Sequence, residues 1–500
     1  MRTVDWDRHY DEMLLGAPIK TLLKPDDFLG RLAGLENPVY APLIDTISAW
    51  GPRTYEAKRD EYVRSLVAND VIFGNASIGL EETVINSSFI PRIVPSSYVE
   101  SEQRCIRAII EAFINLVHTP EILRKISYLP EYKALDALGI MDAISVDTTE
   151  SSVLRIDKAV VSAPGPLYST PAKTYELNWW GAAGQWLVGQ LERVSFETFG
   201  LEGKVRNLSF GALKAQADVF RAESGKKRPT VIMTVSDESY NPNEHANWAG
   251  TMRSFGVDAH TVKEGELASI LTFKGSEVSM HTEEGDTTVD VFYLRNQPDA
   301  STWNHPVIDR ILRASVKGDI VVQEPPWTAL FEAREAIGLA LEHADSLTSS
   351  SEDAELVRAA MPVTTQLRGH VDKVRARADD FILKSNAVHG GRSLRLTRAE
   401  VLKSLEEFPS MAPDEADALI VQEKIFPSTM PTDTVSPQKD ERRKGKLVIT
   451  SDLLDFDPYV HWEWRNGKVT AKIVEVLTRA GFPSNVQGGG GIIPVFLTKS

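Results

Sequence analysis

The sequence predicts a mixed architecture, part α/β and part α+β, from three observations: a helical first quarter, a βαβ pattern in the middle and a strand-rich last part. Its 500 residues are enough for about three domains at roughly 100–200 residues each. Residues 1–140 read mostly as helix. Tyr98 to Val117 carries Ile106, Ile109, Ile110, Phe113 and Leu116 at helical spacing, and Pro120 to Leu129 supplies a second, shorter pattern. Pro91, Pro95, Pro120 and Pro130 punctuate the region.

From about Ser145 the pattern changes to strands. Ser152 to Val161 ends in a Ser-Ala-Pro-Gly-Pro turn and Lys173 to Asn178 forms another short strand, so 141–227 is expected to hold a strand pair. Arg228 to Val235 is a buried-strand run, followed by a polar loop, a helix over His245 to Phe255 and a strand at Val257 to Val262. Strands at Val289 to Leu294 and Gly318 to Val322, with a helix from Thr328 to Ala344, extend this to one α/β domain over 228–345. The polar stretch Ser346 to Asp353 reads as a linker into a last portion, 346–500. That portion holds a charged helix ending near Ala378, strands at Phe381 to Lys384 and Ala418 to Lys424, and a helix over Thr397 to Glu407. Closing strands fall at Lys446 to Ile449, Tyr459 to Trp464, Lys468 to Val474 and Ile492 to Leu497. The 427–446 segment, rich in Pro, Ser, Thr and charge, is expected to be a mobile surface loop.

Composition narrows the function classes. A formal charge of -15 argues against sequence-independent nucleic-acid binding, which needs clustered Lys and Arg. Cys105 is the sole cysteine, which excludes an intramolecular disulfide and a cysteine-built zinc site and fits a reducing cytoplasm. It lies in an amphipathic helical pattern and is expected to be a buried thiol. Neither a signal peptide nor an apolar run of about 18 residues is present, so no membrane partner is expected.

Four segments could carry chemistry. Phe381-Ile382-Leu383-Lys384 leads into Gly390-Gly391, where an apolar strand delivers a lysine to a turn whose backbone N–H groups can approach phosphate; alone, this reads as an ordinary glycine turn after a strand. Gln422-Glu423-Lys424-Ile425 ends a strand at Pro427 and can offer successive backbone groups to an adenine edge, or be a plain edge strand. Arg155-Ile156-Asp157 and Glu176-Leu177-Asn178 each place two polar side chains on one strand face. Paired, they would gather three oxygen ligands suited to Mg²⁺ and one guanidinium, although a surface hairpin alternates in the same way. Arg479 precedes a glycine run, Gly488 to Gly491, that is either a close-approach backbone or a loose loop.

In this order the segments resemble the circularly permuted ATP-grasp ligases, the group that includes glutathionylspermidine synthase-like proteins, over about residues 89–497. Phe89-Ile90-Pro91-Arg92-Ile93-Val94-Pro95, Asp290-Val291-Phe292-Tyr293-Leu294-Arg295 and Gln323-Glu324-Pro325-Pro326 with Arg334 are similar to further segments of that group. The resemblance implies an ATP-grasp fold in which a helical region and an α/β domain precede the nucleotide-binding portion. It also implies ATP at Lys384, Gly390, Gly391, Gln422 to Ile425 and Arg334, Mg²⁺ on Asp157, Glu176 and Asn178, and Arg155 and Arg479 as catalytic arginines. The expected reaction joins a small-molecule or peptide carboxylate to an amine through an acyl phosphate. A nucleotide- or partner-binding module without turnover and a small-molecule kinase are the alternatives. The chain departs from the resembled pattern at Arg334, where lysine is usual, at Arg392-Ser393, where a further glycine is common, and at Asp457, which replaces an arginine. Residues 1–88 carry no interpretable motif and are left as a lid, a homo-oligomer contact or a substrate-binding element; an amidase domain, found in some relatives, is not expected.

Overall fold

The computed structural model describes residues 17–18, 37–75, 80–144, 149–161, 168–235, 242–275, 277–283, 285–295, 305–385, 395, 397–435, 446–447, 449–453, 455–480 and 491–499. Two helices and six strands position the site: α1 (Ser96–Val117), β1 (Glu150–Ala159), β2 (Lys173–Asn178), α2 (Arg334–Glu342), β3 (Phe381–Ser385), β4 (Leu419–Glu423), β5 (Asp457–Arg465) and β6 (Lys468–Ala480). The helical spacing around Ile106 produces α1, whose buried face includes Cys105, Ile109, Ile110 and Phe113 and packs across β6.

An eight-stranded sheet runs in the order Ile449–Leu453, Thr429–Val435, Ser87–Ser88, Gly491–Ile493, β6, β5, β1, β2. Its far end brings sequence-remote strands together: Arg155 of β1 lies opposite Tyr459 of β5, and β1 pairs antiparallel with β2. A separate four-stranded sheet is entirely parallel, in the order Asp258–Lys263, Thr230–Val235, Val291–Leu294, Val321–Gln323. Thr230–Val235 is buried along its whole length, as a central parallel strand covered on both faces requires. The expected βαβ pattern is therefore present. An antiparallel meander, Leu271–Lys274, Glu277–Thr282 and Gly285–Thr288, is attached to it; threonines and charges on its outer face hide it from an apolar-run reading.

The stretch 346–500 is distributed over three places. Ser346–Asp353 does not act as a linker. The helices Ala344–Leu347 and Ser351–Ala360 occupy and flank it, the Ser350 hydroxyl accepts from the Asp353 N–H, and Arg107 of α1 pairs with Asp353. Ser350 is a helix N-cap, a role whose residue type also suits a linker in sequence. Next, Thr364–Gln366, β4 and β3 form a small antiparallel sheet with its own core of Leu367, Val374, Phe381, Leu383, Val401, Leu405 and Val421. The helix Arg398–Glu407 that closes this body starts at a Thr397/Glu400 capping box. Strands β5 and β6 then return to the large sheet.

The expected 427–446 loop is also corrected in part. Thr429–Val435 is a strand that pairs with Ile449–Leu453 on one side and with Ser87–Ser88 on the other. Its Asp433 is buried and accepts a 2.6 Å hydrogen bond from the Tyr55 hydroxyl. Threonine favours strands, and here it outweighs the Pro431 signal. Residues 436–445 lie outside the described residues.

One buried ion pair ties α1 to the site strand. Lys158 Nζ lies 2.6 Å from Glu102 Oε2, both side chains are fully buried, and the other Glu102 oxygen accepts from the Ala172 N–H at 2.6 Å. Cys105 Sγ is 3.9 Å from the same ammonium and buried, as expected of this thiol. Lys158→Met should cost about 3–5 kcal/mol in urea unfolding, because Glu102 is left charged in an apolar site, and adding Glu102→Leu should restore most of that loss.

Candidate active site

The site begins in the register of β1 and β2. Arg155 stands opposite Asn178 and Asp157 opposite Glu176, so the four residues share one face of the strand pair. After Asp157 the register shifts and Lys158 stands opposite Thr174, which leaves Tyr175 as the extra residue of a β-bulge. The Tyr175 hydroxyl accepts from Arg479 Nη2 at 2.5 Å and donates to Asp455 Oδ2 at 3.1 Å.

Around that phenol is a buried ionic network. Arg155 grips both oxygens of Asp157, with Nε at 2.7 Å and Nη2 at 3.2 Å, and its Nη1 donates to the Ala183 carbonyl at 3.0 Å. Arg479 Nη2 reaches Asp157 Oδ2 at 3.1 Å, and its Nε donates to Asp457 Oδ2 at 2.9 Å and lies 3.4 Å from Asp455 Oδ2. The second Asp457 oxygen accepts from the Lys158 N–H at 2.9 Å. Burial alone would raise the Asp157 carboxyl, but the Arg155 and Arg479 charges outweigh it and hold Asp157 below the usual carboxylate range. Asp457 goes the other way: burial, with Asp157 and Asp455 close by, lifts it well above its ordinary value despite Arg479.

A second group borders the first across β2. Lys384, on β3, donates from Nζ to the Tyr175 carbonyl at 3.4 Å, and Arg334, the first residue of α2, donates from Nη2 to Glu176 Oε1 at 3.2 Å. Burial, reinforced by the Arg334 charge, brings Lys384 down to about 8, against the opposing pull of Glu176 and Asp157. Burial likewise pushes Glu332 up to about 8, and its carboxyl accepts from the Trp180 N–H at 2.8 Å.

The structure thus joins Arg155, Asp157, Glu176, Asn178, Arg334, Lys384 and Arg479. Both Asp157 oxygens face guanidinium groups, Asn178 stands beside them opposite Arg155, and Glu176 is held by Arg334. Among the described residues no group of three or more His, Cys, Asp or Glu side chains has a metal-holding arrangement. Gln422 is buried, with Nε2 on Thr364 Oγ1 at 3.0 Å, inside the small sheet. The amides of Glu423 and Lys424 are spent on the carbonyls of Val363 and Asp380 at 2.8 and 2.7 Å. In the stretch Glu423 to Ile425, only Ile425 has an amide with no backbone partner among the described residues. Gly390, Gly391, Arg392, Ser393 and Gly488 lie outside the described residues.

Sequence reading missed Tyr175, which strict alternation assigns to the opposite face from Glu176. It also gave Asp455 and Tyr459 no role. Tyr459 donates to the Ala183 carbonyl at 2.5 Å, the same oxygen that Arg155 binds. The Gly181-Ala182-Ala183-Gly184 turn was the available signal. Gly181 has φ +56, and a Cβ there would sit 2.0 Å from the Arg295 carbonyl oxygen, so only glycine lets the turn after β2 pass so close to Arg295.

No protein-family model matches the chain, and no curated protein matches it. The fold is similar to that of a glutathione synthetase-like effector, GSS30, from Globodera pallida, solved in its apo form. The TM-score is 0.63 at 13% sequence identity, over 89% of this chain and 96% of that one. The likeness is one of fold, a mixed α/β structure. Among the described residues no helix is long and apolar enough to cross a membrane.

Because Lys384 is cationic below about pH 8 and neutral above it, affinity for inorganic triphosphate should be highest near neutrality and fall as pH rises through 8 to 9. Calorimetry across that range should show the fall in the wild type and a flatter profile in Lys384→Arg, whose charge persists.

Proposed function

We propose that the chain is an ATP-dependent, ADP-forming carboxylate–amine ligase of the ATP-grasp type. The observation that carries this reading is the meeting of two sheets at Tyr175: Lys384 of β3 reaches the β2 backbone beside Glu176, which Arg334 also binds. The glutathione synthetase-like fold supports it. ATP lies between the small sheet and the large one, its adenine edge at Glu423 to Ile425 and its phosphates against Lys384 and Arg334.

The donor chemistry at Glu176 and Asn178 fits Mg²⁺, which prefers oxygen and keeps phosphate oxygens among its ligands. When bound, the ion neutralises phosphate charge. Asp157 is better suited to hold Arg155 and Arg479 in place than to ligate. The substrate carboxylate attacks the γ-phosphorus, the bond to ADP breaks, and an acyl phosphate forms. The amine nitrogen then attacks the acyl carbon, phosphate leaves, and the nitrogen sheds a proton to solvent. Positioning and charge neutralisation do the catalysis, with no protein nucleophile.

Release of ADP on a panel of carboxylates, with and without amines, tests the reading. Amine-dependent ADP release with an amide product is the expected result; a stable phosphorylated acid marks a kinase, and nucleotide binding without turnover a binding module. Glu176→Ala should raise the Mg²⁺ concentration needed for half-maximal ADP release by about tenfold or more. Asp157→Asn should lower kcat while leaving that Mg²⁺ dependence near the wild-type value.

A further inference from the structure

We propose that Glu244 is a positioning residue for Arg155, holding the Ala183–Gly184 peptide in the orientation that presents the Ala183 carbonyl to the Arg155 guanidinium. The kinetic consequence rests on the ligase reading above; the geometry stands apart from it. Glu244 lies in the first turn of the helix Pro242–Ser254, which follows the parallel strand Thr230–Val235. Its side chain is buried, and Oε1 accepts from the Gly184 N–H at 2.7 Å. On the other side of that peptide, the Ala183 carbonyl accepts from Arg155 Nη1 at 3.0 Å and from the Tyr459 hydroxyl at 2.5 Å. The N–H and C=O of one trans peptide lie in a plane and point in opposite directions. The Glu244 carboxyl, the peptide and the guanidinium therefore form a chain in which each hydrogen bond polarises the next.

This peptide needs an outside hold because a glycine follows it. Gly184 has φ +89, and a Cβ there would meet the Tyr459 hydroxyl at 3.0 Å, so the position calls for glycine. Glycine enters negative φ as readily as positive, so the local chain does little to fix which way the peptide faces. Gly184 is also the N-cap of the helix Gln185–Phe199 and has no side chain to cap it. Glu244 supplies that acceptor from another element. Burial raises its carboxyl, and the Arg295 charge, the Gly184 and Trp186 backbone N–H groups and the Arg155 charge oppose the rise. Nε and Nη2 of Arg155 are committed to Asp157 on its own strand, and the Nη1 bond ties the guanidinium to the turn after β2. Without an acceptor at Glu244, the Gly184 N–H turns to another partner and takes the Ala183 carbonyl off Arg155.

Two substitutions of similar length separate the acceptor from the packing: Glu244→Gln keeps an oxygen at the same reach, and Glu244→Met has none. Both are compared with wild type in kcat and in KM for ATP, using a carboxylate and an amine that support ADP release. Glu244→Met should lower kcat about tenfold and leave KM for ATP within about twofold, since Lys384 and Arg334 lie outside this chain of contacts; Glu244→Gln should keep kcat within about threefold. A wild-type kcat in Glu244→Met overturns the assignment, and so does a loss of about tenfold in Glu244→Gln. Glu244→Ala, which also lacks the acceptor, takes the place of a Met variant that does not fold. Crystal structures of the variants read the geometry without turnover. The Ala183 carbonyl should leave Arg155 Nη1 in Glu244→Met and stay on it in Glu244→Gln; a carbonyl still on Arg155 in Glu244→Met overturns the assignment. If no carboxylate and amine release ADP, the ligase reading fails, and these structures decide the positioning role alone.

Discussion

The structure depends on one carboxylate held between two guanidinium groups. Asp157 is 1% exposed, and an isolated charge at that depth would be protonated or expelled. Arg155 from its own strand and Arg479 from β6 keep it ionised, and in doing so they fix where β1 and β6 stand relative to one another. Asp457 and Tyr175 complete the cage from β5 and β2. Such a network contributes little net stability over an apolar core of equal volume. Its value here is geometric: it presents a defined polar face on β2 to the small sheet that carries Lys384.

The neighbouring residue, Lys158, extends this logic to the back of the sheet. Its backbone N–H caps Asp457 while its side chain runs to Glu102 of α1. One residue therefore ties the ionic network on one face of β1 to the helical layer on the other. The β-bulge at Tyr175 begins at this same point in the register. Strand, bulge and buried pair form one mechanical unit, and they link the candidate phosphate cation, Lys384, to the candidate substrate arginine, Arg479, through a single tyrosine: its carbonyl on one side and its hydroxyl on the other.

Much of this was legible in the sequence where local chemistry decides the outcome. The helix over Tyr98 to Val117, the parallel strands and the β2 strand from Lys173 to Asn178 follow from periodicity and β-branched content. The pairing of the Arg155 and Glu176 segments also follows from alternation, and the structure places them on one face. What was not legible depends on long-range contacts. Tyr175 changes its effective face through a bulge that no periodicity predicts. Ser346 to Asp353 has linker composition, but Ser350 caps a helix and its neighbours belong to helices. Nor does local sequence show that two arginines hold the oxygens of Asp157, one of them 322 residues away.

A crystal structure with Mg²⁺ and a non-hydrolysable ATP analogue tests the central claim most directly. The account predicts the triphosphate between β2 and β3, in contact with Lys384 and Arg334, with the metal on Glu176 and Asn178 and the Arg155–Asp157–Arg479 network intact. An analogue bound elsewhere, or a metal on Asp157 with its arginines displaced, would contradict it.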